Sequence, residues 1–214
     1  AETRPDGALA AADSRLAAAL KALRDGRMIV VTDDEDRENE GDLIALAADI
    51  TTETVAFMAR FGRGLICQPI TKDRAKALDL PLMVAANEES HRTAFTVSVD
   101  AASGITTGIS AADRARTIRT VMDADAGPKD LVRPGHVFPL IAREGGILER
   151  PGHTEAAVDL ARLAGSAPGA VICEILGDNG LALTGEALAA FCRHHNLVSL
   201  TIQELIRSTA CHSF

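Results

Sequence analysis

The chain has 214 residues, a formal net charge of −8 and 47% hydrophobic residues, which is enough apolar material for the core of one large domain. Because it is acidic and contains six phenylalanines but no tryptophan or tyrosine, we exclude nucleic acid as a partner. No apolar run approaches the roughly 18 to 20 residues that span a bilayer, so we also exclude a membrane. The start of the chain does not have the pattern of a signal peptide, and we expect a cytoplasmic protein.

Hydrophobic periodicity predicts helices alternating with strands along the chain. Helices are predicted over 9–25, 51–61, 72–78, 110–122, 155–164, 184–195 and 202–207, and strands over 28–31, 43–48, 64–70, 94–99, 170–176 and 198–200. The four cysteines contain no C-x-x-C pair and are expected to be reduced thiols. Cys67 lies in the strand predicted over 64–70, where a small core residue is the favoured interpretation and a nucleophile is the alternative.

The acidic loop, residues 33–42 with the sequence DDEDRENEGD, carries most of the excess charge. Without its seven acids and Arg37 the chain has 23 acidic and 21 basic residues. Each close pair of like charges costs about 1 kcal/mol even in water, so something must offset the repulsion. Glu38, Glu40 and Asp42 alternate, and an extended backbone would point them to one side, where hard oxygen ligands suit Mg²⁺ or Mn²⁺. A solvated acidic turn is the alternative.

A second candidate segment precedes the helix predicted over 110–122. Ser110 and Asp113 have the spacing of a capping box, and Thr107 and Gly108 come just before it. Free backbone N–H groups at such a helix start can bind an anion, although an ordinary capped helix is the alternative.

A short repeat, Arg-Pro-Gly-His, occurs at 133–136 and again at 150–153. Proline followed by glycine predicts a tight turn at each copy, which would present His136 and His153 on rigid corners behind an arginine able to bind phosphate. Glu174 is the single carboxylate of the apolar strand predicted over 170–176. It either faces solvent or faces inward, where burial would suit it to general acid or base work.

These segments together resemble 3,4-dihydroxy-2-butanone 4-phosphate synthase, a riboflavin-pathway enzyme that acts on ribulose 5-phosphate. The resemblance rests on 33–42, 106–114, 133–140 and 152–156, and it extends from about residue 12 to residue 207. It implies an α/β fold of the α+β type, with a central mixed β-sheet flanked by helices in a single domain, 12–207. We expect 1–11 to be a flexible N-terminal extension and 208–214 to be a frayed C-terminus.

The resemblance also implies a homodimer that uses Mg²⁺, or Mn²⁺, with two divalent ions per site. It assigns the metal to Glu38 and His153, and catalysis to His136, Glu174, Glu40 and Asp42. The substrate-binding residues that it implies are Arg37, Glu38, Asp42, Arg150, Gly152, His153, Thr154, Thr107, Asp33 and Cys67. The implied reaction forms an enediol from the ketose, loses water, rearranges the carbon skeleton and releases C4 as formate.

The chain departs from the family pattern at Pro151, where the family often has glycine, and over 178–186. Two other functions stay open. A metal-dependent sugar-phosphate isomerase or aldolase would share the enediol and the phosphate contacts but would release no formate. A binding module would need only the acidic loop and would leave the two histidine motifs without a role.

Overall fold

The computed structural model of the chain describes residues 5–34 and 37–212. Residues 1–4, 35, 36, 213 and 214 lie outside the described residues. They include parts of the predicted N-terminal extension, of the acidic loop and of the predicted frayed terminus.

Seven strands of the described residues form one mixed sheet in the order β4-β5-β3-β6-β2-β1-β7. The strands are β1 (Ile29–Thr32), β2 (Gly41–Leu46), β3 (Cys67–Ile70), β4 (Val99–Ala101), β5 (Leu131–Ile141), β6 (Ala170–Glu174) and β7 (Val198–Thr201). The pairs β1–β7 and β3–β5 are parallel, and the other pairs are antiparallel. The expected α+β architecture with a central mixed sheet is therefore confirmed.

Helices cover both faces of this sheet. They are α1 (Pro5–Arg24), α2 (Thr52–Phe57), α3 (Lys72–Ala77), α4 (Ala111–Met122), α5 (His153–Leu163), α6 (Gly185–His194) and α7 (Ile202–His212). Leu23 of α1, Leu160 of α5 and Leu205 of α7 pack in one buried cluster with Ile44 of β2. The neighbouring strand residue, Leu43, belongs to the other cluster, with α2 and α4, because successive side chains of a strand point to opposite faces. Among the described residues, no helix is both long and apolar enough to cross a membrane.

Strand pairing brings distant parts of the sequence to one edge of the sheet. Thr32, at the end of β1, pairs with Gly41, at the start of β2, so the acidic loop connects these two strands at this edge. Asp42 pairs with Glu174 at the end of β6, and Cys67 at the start of β3 pairs with Ile172. The edge therefore carries the acidic loop, Glu174 and Cys67 side by side.

The tight turn predicted at 133–136 is wrong. These residues lie inside β5, where they bulge between Val132, which pairs with Asp100, and Val137, which pairs with Val99. Strand β3 pairs with β5 only from Phe138 onward, so one side of the bulge has no strand neighbour. A proline, which cannot donate a ladder hydrogen bond, is tolerated there for that reason.

The second copy, 150–153, does form a tight turn, in which the Gly152 N–H donates to the Arg150 carbonyl over 2.8 Å. Unlike the first copy it leads into α5: Gly152 is the N-cap and His153 is the first helical residue. The strand predicted over 94–99 is confirmed only in part: Phe95 and Thr96 form isolated β-bridges with Leu140 and Leu82, and the continuous strand β4 covers Val99–Ala101.

Both ends of the chain are more helical than predicted. Helix α1 begins at Pro5 and α7 ends at His212, so residues 5–11 and 208–212, predicted to lie outside the domain, are helical. The two helices pack together, and the Ser208 hydroxyl bonds to the Asp13 carboxylate over 2.8 Å. This contact holds the first residue beyond the predicted domain end, Ser208, against α1.

Candidate active site

The acidic loop is organised around the carboxylate of Asp33, which is only 1% exposed. Its Oδ2 atom accepts hydrogen bonds from Arg37 Nη1 over 2.9 Å and from the Glu38 backbone N–H over 3.0 Å. Its Oδ1 atom accepts from the Glu40 backbone N–H over 2.9 Å. Asp33 thus orders the loop, and Arg37 offsets part of the repulsion among the acids.

Glu38 lies among three basic side chains. Its Oε2 atom lies 2.7 Å from Arg37 Nη1 and 3.5 Å from His153 Nδ1, and its Oε1 atom lies 3.7 Å from His91 Nε2. Burial would raise the pKa of Glu38, but His153 and Arg37 outweigh burial and lower it to about 2. Glu38 is therefore ionised across the physiological pH range.

A cavity of about 150 Å³ opens beside Glu38 at this edge of the sheet. Predicted site residues make up most of its lining: Arg37, Glu38, Glu40, Asp42, Cys67, Arg150, His153, Thr154 and Glu174. Glu38, Glu40 and Asp42 meet there as the sequence predicts, although the backbone between them is not extended, because Asn39 has a left-handed φ of 53°. A larger cavity, of about 300 Å³, lies on the other side of Glu40 but contains neither His153 nor Glu174.

Three buried polar atoms of the cavity residues have no hydrogen-bond partner among the described residues: Asp42 Oδ1, His153 Nε2 and Glu174 Oε2. Burial raises the pKa of Asp42 to about 7, helped by the neighbouring Glu174 carboxylate and opposed by His153. Burial would lower the pKa of His153, but Asp42 and Glu38 raise it to about 9. Since an unpaired buried polar group costs about 1–3 kcal/mol, such a group of three calls for a ligand.

The residues around these atoms fit a hard divalent cation. Asp33, Glu38 and His153 each offer one ligand atom, and the three atoms lie within 4.8 Å of one another. Because the Asp33 carboxylate already accepts three hydrogen bonds within the loop, Glu38 and His153 are the better ligands of the three. An ionised carboxylate with an imidazole suits Mg²⁺ or Mn²⁺, provided that the imidazole is deprotonated.

Arg150 connects the cavity to the segment 91–93. Its Nη1 atom donates to Glu155 Oε2 over 2.7 Å, and Nη2 donates to Thr93 Oγ1 over 3.0 Å. Both Nε and Nη2 also contact the His91 carbonyl, over 3.3 and 3.2 Å. A side chain at Gly152 would begin 2.3 Å from Arg150 Nη1 and would therefore displace this guanidinium.

Thr154 follows in the first turn of α5 and is only 4% exposed. No described side chain caps the start of this helix. Its first backbone N–H groups are therefore available to an anion, next to Arg150.

His136 and Thr107 do not line this cavity. His136 lies on β5, two strands away from Glu174 on β6, which corresponds to about 10 Å along the sheet. Thr107 is exposed in the turn before α4, where Asp113 already accepts hydrogen bonds from the Thr106 and Gly108 N–H groups. Fewer N–H groups are free there for an anion than the sequence indicates.

Cys67 is buried at the cavity wall, and burial together with Glu174 and Asp42 raises the pKa of its thiol. A neutral, buried thiol is a poor nucleophile, which supports its interpretation as a core residue. Sequence reasoning missed four polar residues that contact predicted site residues: His91, Thr93, Asp100 and Glu155. Glu155 lies within the 152–156 motif and Asp100 is the one acid of an apolar strand, whereas no pattern in the sequence marks His91 or Thr93.

The model of the 3,4-dihydroxy-2-butanone 4-phosphate synthase family matches residues 17–208, which is most of the chain. The chain belongs to this family. A 3,4-dihydroxy-2-butanone 4-phosphate synthase from Baumannia cicadellinicola subsp. Homalodisca coagulata is 51% identical over 192 residues, which cover 90% of this chain and 91% of that protein. The riboflavin biosynthesis protein RibBA from Salinispora arenicola is 55% identical over 181 residues, which cover 85% of this chain but only 43% of that protein.

Solved 3,4-dihydroxy-2-butanone 4-phosphate synthases have the same fold. A crystal structure of one in complex with two magnesium ions has a TM-score of 0.89 and 46% identity, and the match covers 92% of this chain and 97% of that chain. The two-domain RibBX from A. baumannii has a TM-score of 0.86 and 46% identity, with 90% of this chain and 56% of that chain covered. The chain thus spans about half the length of the longer relatives and nearly all of the shorter ones.

Proposed function

We propose that this protein is a lyase that converts D-ribulose 5-phosphate to L-3,4-dihydroxy-2-butanone 4-phosphate and formate, in riboflavin biosynthesis. The observation that carries the proposal is the group of three unpaired buried atoms, on Asp42, His153 and Glu174, in a cavity beside an ionised Glu38. Family membership supports the same reaction.

Glu38 and His153 would hold Mg²⁺, or Mn²⁺, and a second divalent ion would bind close by, as two magnesium ions do in the solved relative. The cation would act as a Lewis acid that stabilises negative charge on adjacent oxygens of the ketose. Arg37 and Asp33 would keep the Glu38 carboxylate in position for this role.

The substrate phosphate would bind at the start of α5, against the N–H groups of Thr154 and its neighbours. Arg150 lies there, but four of its contacts are already made to Glu155, Thr93 and His91. Arg150 would therefore contribute to phosphate binding in two ways. Its positive charge would attract the phosphate without a direct hydrogen bond, and its contacts would hold segment 91–93 at the cavity.

Proton transfers would be divided among Asp42, Glu40, Glu174 and His136. The pKa of Asp42, raised to about 7, suits a group that both accepts and returns a proton near neutral pH. Burial also raises the pKa of Glu40, with Glu38 and Glu174 as further causes.

We further propose a homodimer that functions in the cytoplasm. Leu65, Ile109 and Val132, which are 44%, 55% and 47% exposed, lie just before β3, in the turn before α4 and near the start of β5. Exposed apolar side chains around polar residues are typical of protein interfaces. A second subunit that covers this face would bring its own groups close to His136. The buried free thiols of Cys67, Cys173 and Cys192 suit a reducing compartment.

The deciding experiment is formate release from ribulose 5-phosphate with Mg²⁺ and again after chelation by EDTA. We expect formate with Mg²⁺ and none with EDTA, and recovery when Mg²⁺ is restored. E186A, which changes an exposed carboxylate remote from the cavity lining, serves as the matched control and should keep full activity. Conversion of the ketose to another sugar phosphate without formate would refute the proposal in favour of an isomerase.

A further inference from the structure

A second polar centre, outside the cavity, consists of Asp100 of β4 and His136 of the β5 bulge. Asp100 Oδ2 lies 2.7 Å from His136 Nδ1, and Asp100 Oδ1 accepts a hydrogen bond from the His136 backbone N–H over 2.9 Å. The Asp100 side chain is 7% exposed, whereas that of His136 is 41% exposed. One buried carboxylate thus fixes both the backbone and the ring of a partly exposed histidine.

This contact determines which nitrogen of the imidazole carries the proton. Both oxygens of Asp100 face N–H positions of His136, so we assign Nδ1 as the donor and the carboxylate as the acceptor in the 2.7 Å contact. In a neutral imidazole the other nitrogen, Nε2, then carries the lone pair. The ring therefore presents a basic nitrogen on the side away from Asp100.

Two glycines allow the surrounding backbone to close around this pair. A Cβ at Gly108, whose φ is +95°, would lie 2.2 Å from Asp100 Oδ2 and 2.6 Å from His136 Nδ1. A Cβ at Gly135 would lie 1.9 Å from the carbonyl carbon of Val99. The turn that contains Gly108 is itself held by Asp113, which accepts hydrogen bonds from the N–H groups of Thr106 and Gly108.

A purely structural role for Asp100 is the alternative. The bulge has a second anchor, since the Gly135 N–H donates to Ser98 Oγ over 3.1 Å. A backbone N–H needs only one acceptor, yet Asp100 uses its second oxygen on the imidazole ring. That second contact does not stabilise the backbone, and its effect is on the ring alone.

We propose that Asp100 is a positioning residue, which holds His136 in the tautomer and orientation that presents Nε2 for proton transfer with the substrate. This inference rests on the proposed function, in which His136 takes part in the chemistry.

The variant D100N tests the inference selectively. Asparagine keeps a carbonyl oxygen for the His136 N–H, but its amide can donate to Nδ1 and so favours the tautomer protonated at Nε2. We expect kcat for formate release to fall about 10²- to 10⁴-fold, the usual contribution of a general acid or base, while KM changes less than about threefold. D100E, which restores a carboxylate, should recover part of kcat. S98A removes the other anchor of the bulge and should leave kcat unchanged.

Combining D100N with H136A separates positioning from structure. If Asp100 acts only through the imidazole, D100N causes no further loss of kcat in the H136A background. A full additional loss in that background would overturn the inference, as would wild-type kcat in D100N. Retained circular dichroism and Mg²⁺ affinity in each variant show that the fold and the metal site are intact. If D100N fails to fold, D100E and its combination with H136A carry the same comparison.

A readout without activity distinguishes failure of this inference from failure of the proposed function. Two-dimensional ¹H–¹⁵N spectra of the imidazole nitrogens report the tautomer directly, with H136A used to assign the signals. We expect protonated Nδ1 and unprotonated Nε2 in the wild type, and loss of that state in D100N. Protonation at Nε2 in the neutral wild-type ring would overturn the inference even if formate is released. The expected tautomer in a protein that releases no formate would instead refute the proposed function.

Discussion

Glu155 offers a sharp test of how Arg150 is held. The Glu155 side chain is 1% exposed, and its Oε2 atom lies 2.7 Å from Arg150 Nη1, whose side chain is 15% exposed. Its other oxygen accepts a hydrogen bond from the Arg143 backbone N–H over 3.0 Å. E155A would leave a buried guanidinium without its countercharge and a backbone N–H without its acceptor. Removing one partner of a buried ion pair costs about 3–5 kcal/mol.

Urea unfolding followed by linear extrapolation measures this cost directly. For a chain of this size, each 1 kcal/mol lowers Tm by about 2–4 °C, so we expect Tm to fall by roughly 6–20 °C in E155A. E155Q keeps an oxygen for the Arg143 N–H and should lose less, on the order of 1–3 kcal/mol. E186A removes an exposed partner of Arg193, both side chains being more than half exposed, and should cost no more than about 1 kcal/mol.

Two results would refute this reasoning. A loss below about 1 kcal/mol in E155A, equal to that in E186A, would mean that the buried pair contributes no more than an exposed one. Replacing both partners, as in R150M with E155Q, should recover most of the stability lost in E155A, because no unpaired charge is then buried and the Arg143 N–H keeps an acceptor. A double variant as unstable as E155A would place the loss in packing, not in the ion pair. Because Arg150 also contacts Thr93 and the His91 carbonyl, E155A should raise KM for the substrate as well.

Three further predictions concern the cavity and its surroundings. E38A and H153A should lose Mg²⁺ binding and turnover while unfolding cooperatively near the wild-type Tm. E174A and H136A should keep Mg²⁺ binding while turnover falls about 10²- to 10⁴-fold. Normal turnover in any variant would contradict its assignment. A ligand imidazole must be neutral, and the pKa of His153 is about 9. Mg²⁺ affinity should therefore rise by up to about tenfold per pH unit between pH 6.5 and 8.5, and calorimetry should show about one proton released on binding. A pH-independent affinity would contradict this. If His136 serves the cavity of the partner subunit, mixing E38A dimers with H136A dimers should raise the activity above that of either variant alone. No such rise after verified subunit exchange would contradict a shared site.

Much of the site could be predicted because its chemistry lies in contiguous segments. The acidic loop combines seven acids with one arginine. In the structure, Arg37 donates a hydrogen bond to the buried carboxylate of Asp33, and this contact orders the loop. The unusual composition of the loop therefore pointed correctly to an ordered segment. Glu38, Glu40 and Asp42 reach one cavity as predicted. The flanking apolar runs form β1 and β2 because their residues are buried on both faces of the sheet.

The two Arg-Pro-Gly-His segments show where local sequence stops being sufficient. The same four residue types form a bulge in β5 at one position and the start of α5 at the other. What differs is the surroundings: Gly135 meets the backbone of Val99, whereas Gly152 meets the guanidinium of Arg150. Val99 lies outside the tetrapeptide, and the Arg150 guanidinium, although part of it, is held by residues outside it, Glu155, Thr93 and His91. Neither contact can therefore be read from the four residues alone. For the same reason the sequence did not indicate that Asp100 would accept from His136.

The pairing of Asp42 with Glu174 links the fold most directly to function. These residues lie far apart in the sequence, yet they are directly opposite each other on β2 and β6. Like charges at opposed positions destabilise a sheet, and Asp42 is only 3% exposed, so water does little to screen the repulsion. Burial raises the pKa of Asp42 and the Glu174 carboxylate adds to the rise, and each carboxylate has an unpaired buried oxygen among the described residues. A sequence selected for stability alone would place apolar side chains at both positions, as it does at Ile44 and Ile172 in the same pair of strands. The arrangement is therefore best explained by a cationic or hydroxyl-bearing ligand that offsets the repulsion when it binds, which is what the proposed reaction requires of this edge of the sheet.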